Sequence, residues 1–319
     1  MNRPLIATLE SGGTKMVAGL ASGPDDIRLR ERIPTTTPKE TISALVRFFQ
    51  KATREHGAVE ALGVGTFGPA DLNMRSEQFG YITRTPKAGW SFTDLLGPLR
   101  EALGDIPAAF ETDVNASLFG EVRWGAARGE RNAAYFTVGT GIGGGLMLNG
   151  ELVHGTGHPE MGHMGVCVDS KKDPFEGVCP FHGHCLEGMA SGPALEKRWG
   201  RPGHELPPKH PAWELQADYL AQACRNLLTI APPDIIILGG GVMKQEQLFP
   251  LIREKVTEYL GGYLTYPAWE DDLSESIVPP ALGDDAGLLG CVALGQDLLA
   301  RNNQSRSATA PTTSVRNAR

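Results

Sequence analysis

The chain has 319 residues and a formal net charge of −7. That length predicts two medium domains with a cleft between them, each large enough to bury a core. The acidic balance, without a run of Lys or Arg, excludes nucleic acid as an expected partner. Because no window approaches about 18 consecutive apolar residues and the N-terminus lacks signal-peptide zones, we expect no membrane association and a cytoplasmic location.

The five cysteines predict metal binding or simple burial rather than a disulfide framework. Their number is odd, and the chain shows no secretion signal. They are Cys167, Cys179, Cys185, Cys224 and Cys291.

The first third of the chain predicts an α/β organisation. The apolar run 4–9, a glycine turn and a second apolar run indicate a hairpin rather than a strand that feeds a helix. Apolar residues at helical spacing within 40–55 predict a helix, and a strand follows at 61–68. Residues 71–92 are polar and turn-rich, which is typical of an irregular region near a binding face, and 92–103 has a helical pattern.

The remaining two thirds continue this alternation. We predict a strand over 107–112, a helix from 116, and two strands around a glycine turn between 133 and 153. Later elements are a buried strand at IIILGGG and helices over 213–230, 244–260 and 283–300. The tail 301–319 has almost nothing to bury and is predicted to be disordered.

The motif LESGGTK near the N-terminus is a candidate phosphate loop. Gly12 and Gly13 permit close approach of the backbone, so their N–H groups can point at phosphate oxygens, while Thr14 and Lys15 add donors. An ordinary hairpin turn is the alternative interpretation. The GxxxxGK spacing of a Walker A loop is missing.

A second glycine-rich loop spans 139–145. Its formal GxGxxG match, at Gly139, Gly141 and Gly144, raises the alternative of a dinucleotide-binding fingerprint. That fingerprint should open a helix, whereas this segment continues as a strand and hairpin. A third cluster, LGGGVM, ends an apolar strand, where a nucleotide can lie against the backbone.

Asp113 is the candidate general base. It stands where a predicted strand gives way to a helix, between the two phosphate-loop candidates, which suits a base near a transferring phosphoryl group. The alternative is a helix N-cap, a position that also favours Asp.

A histidine- and cysteine-rich segment predicts a structural zinc site. Thiolates and imidazoles are the ligands that zinc selects, and four of them complete a closed site. The candidates, with a CxxHxxC arrangement in the last three, are His163, Cys179, His182 and Cys185. His184 and Cys167 are rival ligands, and His154 or His158 could replace His163.

Two carboxylates flank this segment. Folding it around a metal would bring Glu160 and Glu187 together with His163, a set that suits hydrogen bonding to sugar hydroxyls. Alternatively, Glu187 simply begins a helix, where an acid fits the dipole.

Together, these motifs in this order resemble the ROK family of sugar kinases and repressors, from about residue 5 to residue 299. The resemblance implies an α/β, actin-like ATPase fold of two ribonuclease H-like domains, with ATP and sugar in the cleft, Mg²⁺ accompanying the nucleotide, and a homodimer. We expect a smaller domain at 1–112 plus 288–300 and a larger one at 113–287.

The resemblance also implies residue roles. Asp113 matches the catalytic base, and the sugar-contacting set is Thr112, Asp113, Glu160, His163 and Glu187. The zinc motif matches at His163, Cys179, His182 and Cys185, so His163 would serve both metal and sugar. The expected ATP-binding residues are Gly12, Gly13, Thr14, Lys15, Thr140, Gly141, Pro193, Gly239, Gly240, Gly241 and Lys244.

Three departures from the usual family pattern resemble its fructokinase branch. Glu10 replaces Asp at the first loop, Thr112 replaces Asn before the base, and CPFHGHC replaces a three-cysteine motif. We therefore expect transfer of the ATP γ-phosphate to the 6-hydroxyl of D-fructose. Kinases for mannose, glucose or N-acetylhexosamine remain alternatives. So does a non-catalytic regulator, although the nine residues before Glu10 are too few for a helix-turn-helix domain.

Overall fold

The computed structural model describes residues 3–264, 266 and 272–308. Its strands are β1 (Ile6–Ser11), β2 (Lys15–Gly23), β3 (Asp26–Pro34), β4 (Ala61–Thr66), β5 (Tyr81–Ile82), β6 (Thr93–Asp94), β7 (Ala108–Thr112), β8 (Ala133–Val138), β9 (Ile142–Leu148), β10 (Glu151–Leu152), β11 (Ile235–Gly239) and β12 (Ile277–Val278). Its helices are α1 (Pro38–His56), α2 (Leu96–Ala102), α3 (Asp113–Trp124), α4 (Leu186–Ala190), α5 (Gly192–Trp199), α6 (Ala212–Ile230), α7 (Leu248–Leu260) and α8 (Ala286–Ala308).

Two five-stranded sheets form the centre of the molecule. The first has the order β3-β2-β1-β4-β7, with β1, β2 and β3 antiparallel and with β4 and β7 parallel to β1. The second has the order β10-β9-β8-β11-β12, again with a hairpin, β8 and β9, beside parallel strands. Both strand–glycine turn–strand units predicted from the sequence are therefore confirmed.

The long helix α8 crosses between the sheets and packs against α3, β1 and β4. Glycines let the backbones touch. A Cβ added at Gly290 would lie 1.8 Å from the carbonyl oxygen of Ala116 in α3, and one at Gly63 in β4 would lie 1.9 Å from that of Cys291. Any side chain at either position would push α8 away from its neighbours.

The predicted helices are present, with shifted ends. The helix predicted from residue 244 begins at Leu248, because Val242–Lys244 forms a separate 3₁₀ turn. The region 71–92, predicted to be irregular, is mostly so and contributes only β5, which pairs with β6 in a small antiparallel sheet. No helix within the described residues is long and apolar enough to cross a membrane.

The C-terminal prediction was wrong for the first part of the tail. Disorder was expected from Arg301, but α8 continues to Ala308. Arg301 stabilises this extension through Asp297 one turn earlier, at 2.6 Å, and through Glu151 beside the second sheet, at 3.2 Å. The burial pattern of the tail gives no sign of these ion pairs, which depend on tertiary packing. Residues 309–319 lie outside the described part of the chain.

Candidate functional site

Asp113 is the first residue of α3, directly after β7 ends. Thr112 caps the helix, because its Oγ1 accepts the N–H of Asn115 at 3.2 Å. The alternative that Asp113 is itself the N-cap is therefore wrong. Its Oδ1 accepts the neighbouring N–H of Val114, at 2.9 Å.

The environment of Asp113 makes it a base that can titrate near neutral pH. Burial raises the pKa of its carboxyl group to about 7; the negative charge of Glu10 and, more weakly, that of Glu160 act in the same direction. Backbone hydrogen bonds oppose the shift. A pKa matched to the working pH is what general base catalysis needs.

Glu10 was not among the predicted site residues, although its replacement of the family's Asp was noticed. It lies in β1 near Lys15, and its negative charge raises the pKa of Asp113. Burial raises the pKa of Glu10, and the charge of Lys15 acts against this rise. Its place just before the first glycine loop was the signal that could have identified it.

Two of the predicted sugar-contacting residues, His163 and Glu187, lie side by side. His163 Nε2 lies 4.0 Å from Glu187 Oε1, and the other oxygen of Glu187 accepts the N–H of Ile142 at 2.9 Å. That second bond ties Glu187 to the glycine loop between β8 and β9. Glu160 lies close enough to Asp113 to raise its pKa.

His158 lies beside Glu160 and outside the Cys/His cluster. Its Nε2 accepts the N–H of Ala70 at 3.3 Å, so the proton belongs on Nδ1, which lies 3.5 Å from Glu160 Oε1. The imidazole thus links the loop after β4 to the segment that carries Glu160.

The four predicted zinc ligands form a compact cluster, with their donor atoms all within 4.8 Å of one another. His163 Nδ1 lies 3.5 Å from Cys185 Sγ and 3.8 Å from Cys179 Sγ, and Cys179 Sγ lies 3.6 Å from His182 Nδ1. A tetrahedral zinc ion, with bonds of about 2.0–2.3 Å, separates its ligand atoms by roughly 3.3–3.8 Å. The donor set and its spacing therefore fit zinc.

The rival ligands are absent from this cluster, the single such group in the described ranges. His182 rather than His184 completes it, and Cys167 is exposed elsewhere. His154 pairs with Glu111 at 2.6 Å, so neither it nor His158 replaces His163. With Nδ1 of His163 directed at the cluster, its Nε2 faces Glu187.

The second glycine loop contacts the start of α5, whereas the first loop closes on itself. The N–H of Gly12 closes the first turn on Lys15, at 3.0 Å, and a Cβ at Gly13 would meet nothing within 4 Å. In the second loop, the carbonyl oxygen of Gly139 accepts the N–H of Gly192, at 2.8 Å. Pro193 follows as an early residue of α5, and its fixed φ suits that position.

A cavity of about 320 Å³ adjoins the first loop. Of the predicted ATP-binding residues, it is lined by Lys15, Gly240, Gly241 and Lys244. Gly12, Gly13, Thr14, Thr140, Gly141, Pro193 and Gly239 do not line it. Sequence reasoning missed other lining residues, including Arg30, Arg32, Ser117, Tyr135, Thr137, Asp284 and Asp285.

The fold and the site together define a class. The molecule has two sheets, each with a glycine hairpin beside parallel strands, and Asp113 lies between them. This arrangement is the actin-like ATPase fold of sugar kinases. The sequence matches the ROK family over residues 6–298, and the chain belongs to that family.

Relatives and solved structures agree with this assignment. A fructokinase from Pediococcus pentosaceus is 42% identical over 92% of this chain and 99% of its own. A fructokinase from Lactococcus lactis subsp. cremoris is 45% identical over 82% of this chain and 87% of its own. The crystal structure of a ROK hexokinase from Thermus thermophilus superimposes with a TM-score of 0.75 at 30% identity, covering 93% of this chain and 99% of that one.

The buried Asp113 carboxyl should titrate near pH 7, well above its ordinary value of 3.8, so that it is neutral in acid and charged only above about pH 7. Carbon-13 NMR of aspartate carboxyl groups measures this directly, with Asp113→Asn identifying the resonance. Glu10→Gln removes a like charge and should lower the midpoint. A midpoint near 4 in the unsubstituted protein would contradict the electrostatic account.

Proposed function

We propose that the protein is an ATP-dependent fructokinase, which transfers the γ-phosphate of ATP to the 6-hydroxyl of D-fructose. The observation that carries the proposal is the identity of 42% and 45% to two fructokinases over most of both chains. Two contacts support the proposal: Glu187 is bonded to the second glycine loop through the N–H of Ile142, and the charge of Glu160 acts on Asp113.

In this proposal Asp113 accepts the proton of the attacking hydroxyl. The sugar oxygen forms a bond to the γ-phosphorus, the bond from that phosphorus to the β–γ bridging oxygen breaks, and ADP leaves. The proton stays on Asp113, whose pKa of about 7 allows it to be taken up and later released near neutral pH.

The sugar would be held by polar and charged side chains whose hydrogen-bonding groups have defined orientations. Glu160 and Glu187 accept hydrogen bonds from hydroxyl groups, and His163 donates one from Nε2. Thr112 adjoins the base and would contact the same ring. Because His158 and the N–H of Ile142 orient the two carboxylates, little reorganisation is needed on binding.

The nucleotide would lie with its phosphates on the two glycine loops and with its remainder in the cavity of about 320 Å³. Lys15 and Lys244 supply positive charge there. The proposed ATP-binding residues are Gly12, Gly13, Thr14, Lys15, Thr140, Gly141, Pro193, Gly239, Gly240, Gly241 and Lys244. Mg²⁺ would be held by the phosphates and by the carboxylate of Glu10, an oxygen donor that suits this ion, and it would neutralise charge on the transferring group.

We also propose that His163, Cys179, His182 and Cys185 hold one structural zinc ion. Three of the distances between donor atoms, 3.5, 3.6 and 3.8 Å, match a tetrahedral site, and the cluster joins the segment after β10 to the start of α4. Zinc would thereby fix the Nε2 atom of His163 towards the sugar.

The wider organisation follows the family. We propose two domains, 1–112 with 288–300 and 113–287, which close on ATP and sugar, and a homodimer in the cytoplasm. The five free cysteines are consistent with a reducing compartment.

ATP-dependent turnover on a panel of fructose, mannose, glucose and N-acetylhexosamines tests the proposed function. We expect a strong preference for fructose in kcat/KM, and a decline in kcat/KM as the pH falls below about 7, because protonated Asp113 cannot act as a base. A preference for another hexose would replace fructose as the proposed substrate. The absence of turnover on every sugar would favour a regulatory role for the protein.

Asp113→Asn is the matched control for that assay. It should lower kcat by about 10²–10⁴-fold while fructose binding, measured by calorimetry, is retained. Near-normal turnover by this variant would remove Asp113 from the proposed role.

Metal analysis tests the zinc proposal. We expect about one zinc per chain, and chelation should lower the thermal midpoint and raise the KM for fructose more than that for ATP, because the cluster lies on the sugar side. Cys185→Ser should lose the metal, whereas Cys167→Ser, at an exposed cysteine outside the cluster, should keep it. A metal-free preparation with full activity would contradict the proposal.

A further inference from the structure

His154 and Glu111 form an ion pair that joins the two sheets at their edges. His154 Nε2 lies 2.6 Å from Glu111 Oε1. Glu111 belongs to β7, at one edge of the first sheet, and His154 follows β10, at one edge of the second. The Glu111 side chain is 11% exposed, so its charge is largely removed from water and needs a partner.

The other oxygen of Glu111 holds the turn that contains the base. Oε2 accepts the backbone N–H of Thr112 at 3.1 Å and the side-chain amide of Asn115 at 2.9 Å. Thr112 and Asn115 are themselves joined by the cap bond of 3.2 Å. Asp113 lies between these anchored residues, so the Glu111 carboxylate restricts the backbone that aims the Asp113 side chain.

His154 supplies the hydrogen-bond donor that holds Glu111 in this arrangement from the side of the second sheet. The hydrogen bond to Glu111 is the main cause that raises the pKa of His154, against the opposing effect of partial burial. Without the imidazole, Glu111 would keep its two remaining donors but would lose the contact that holds it from the side of the second sheet. A carboxylate left partly unpaired can turn towards solvent and release the turn.

We propose that His154 is a positioning residue for phosphoryl transfer, which acts through Glu111 on the turn Thr112–Asn115 and so aims the Asp113 carboxyl at the sugar hydroxyl. Neither residue was assigned a role in catalysis from the sequence, where His154 was considered as a substitute metal ligand. This inference rests on the proposed kinase activity.

Steady-state kinetics of His154→Ala and His154→Gln test the inference. The alanine variant should lose about 10- to 100-fold in kcat, because a small misplacement of a reacting group costs this much, while the KM values for ATP and fructose change far less. Glutamine carries an amide N–H that can donate to Glu111, so it should recover most of the lost kcat. His204→Ala, at an exposed histidine, serves as the control and should behave as the unsubstituted protein does.

A double-mutant cycle with Glu111→Gln separates positioning from general damage. If both residues act through one contact, the double variant should lose no more kcat than the worse single variant. Thermal unfolding of each variant shows whether it is folded. If the alanine variant is not, His154→Leu, which fills the space but offers no donor to Glu111, replaces it and should show the same loss of kcat.

Three results would overturn it. They are a kcat for His154→Ala within twofold of the unsubstituted enzyme, losses that multiply in the double variant, or no recovery with glutamine. An unsubstituted enzyme that is inactive on every hexose would remove the proposed function and this inference together. An active enzyme whose kcat ignores His154 would remove this inference alone.

Discussion

The direct backbone contact between α8 and its neighbours is the constraint on which the rest of the structure depends. Gly290 in α8 and Gly63 in β4 leave no room for a side chain, so α8 lies against both α3 and the first sheet. Gly65, two residues further along β4, packs in the same way: a Cβ there would lie 3.3 Å from the Cα of Asp113. Close packing of backbone against backbone thus places the first residue of α3, and with it the candidate base, between the two sheets.

That placement destabilises the charged form of the Asp113 carboxyl, and this shift suits a general base. Burial raises the pKa of Asp113 to about 7, and the negative charges of Glu10 and Glu160 act in the same direction. A site that destabilises the charged form of an acid raises its pKa towards the working pH, which suits proton transfer. Hydrogen bonds from outside the group, to Glu187 from Ile142 and to Glu111 from Thr112 and Asn115, hold the surrounding carboxylates in fixed directions.

Much of this site was predictable because its residues lie in short motifs. The glycine hairpins, the position of Asp113 between strand and helix, and the four-residue metal cluster each depend on neighbours close in sequence. Sequence reasoning could not choose between His182 and His184, because their order along the turn does not determine which imidazole points inward. It also left His154 and His158 open as ligands, whereas the structure pairs them with Glu111 and Ala70, whose positions follow only from how the two sheets meet.

The residues that were missed come from distant segments. Arg30 and Arg32 reach the cavity from β3, and Asp284 and Asp285 reach it from the turn before α8. The extension of α8 past Arg301 was missed for the same reason, since Glu151 lies 150 positions away in the sequence. Such contacts depend on tertiary packing, which local pattern does not determine.

A crystal structure with fructose and a non-hydrolysable ATP analogue tests the central claim most directly. The account predicts that the 6-hydroxyl of fructose lies within hydrogen-bond distance of the Asp113 carboxyl, about 2.6–3.2 Å. The γ-phosphate should lie on the side of that hydroxyl opposite to Asp113. Glu160, His163 and Glu187 should contact the remaining hydroxyls. A sugar bound away from Asp113, or one that presents a different hydroxyl to the γ-phosphate, would contradict it.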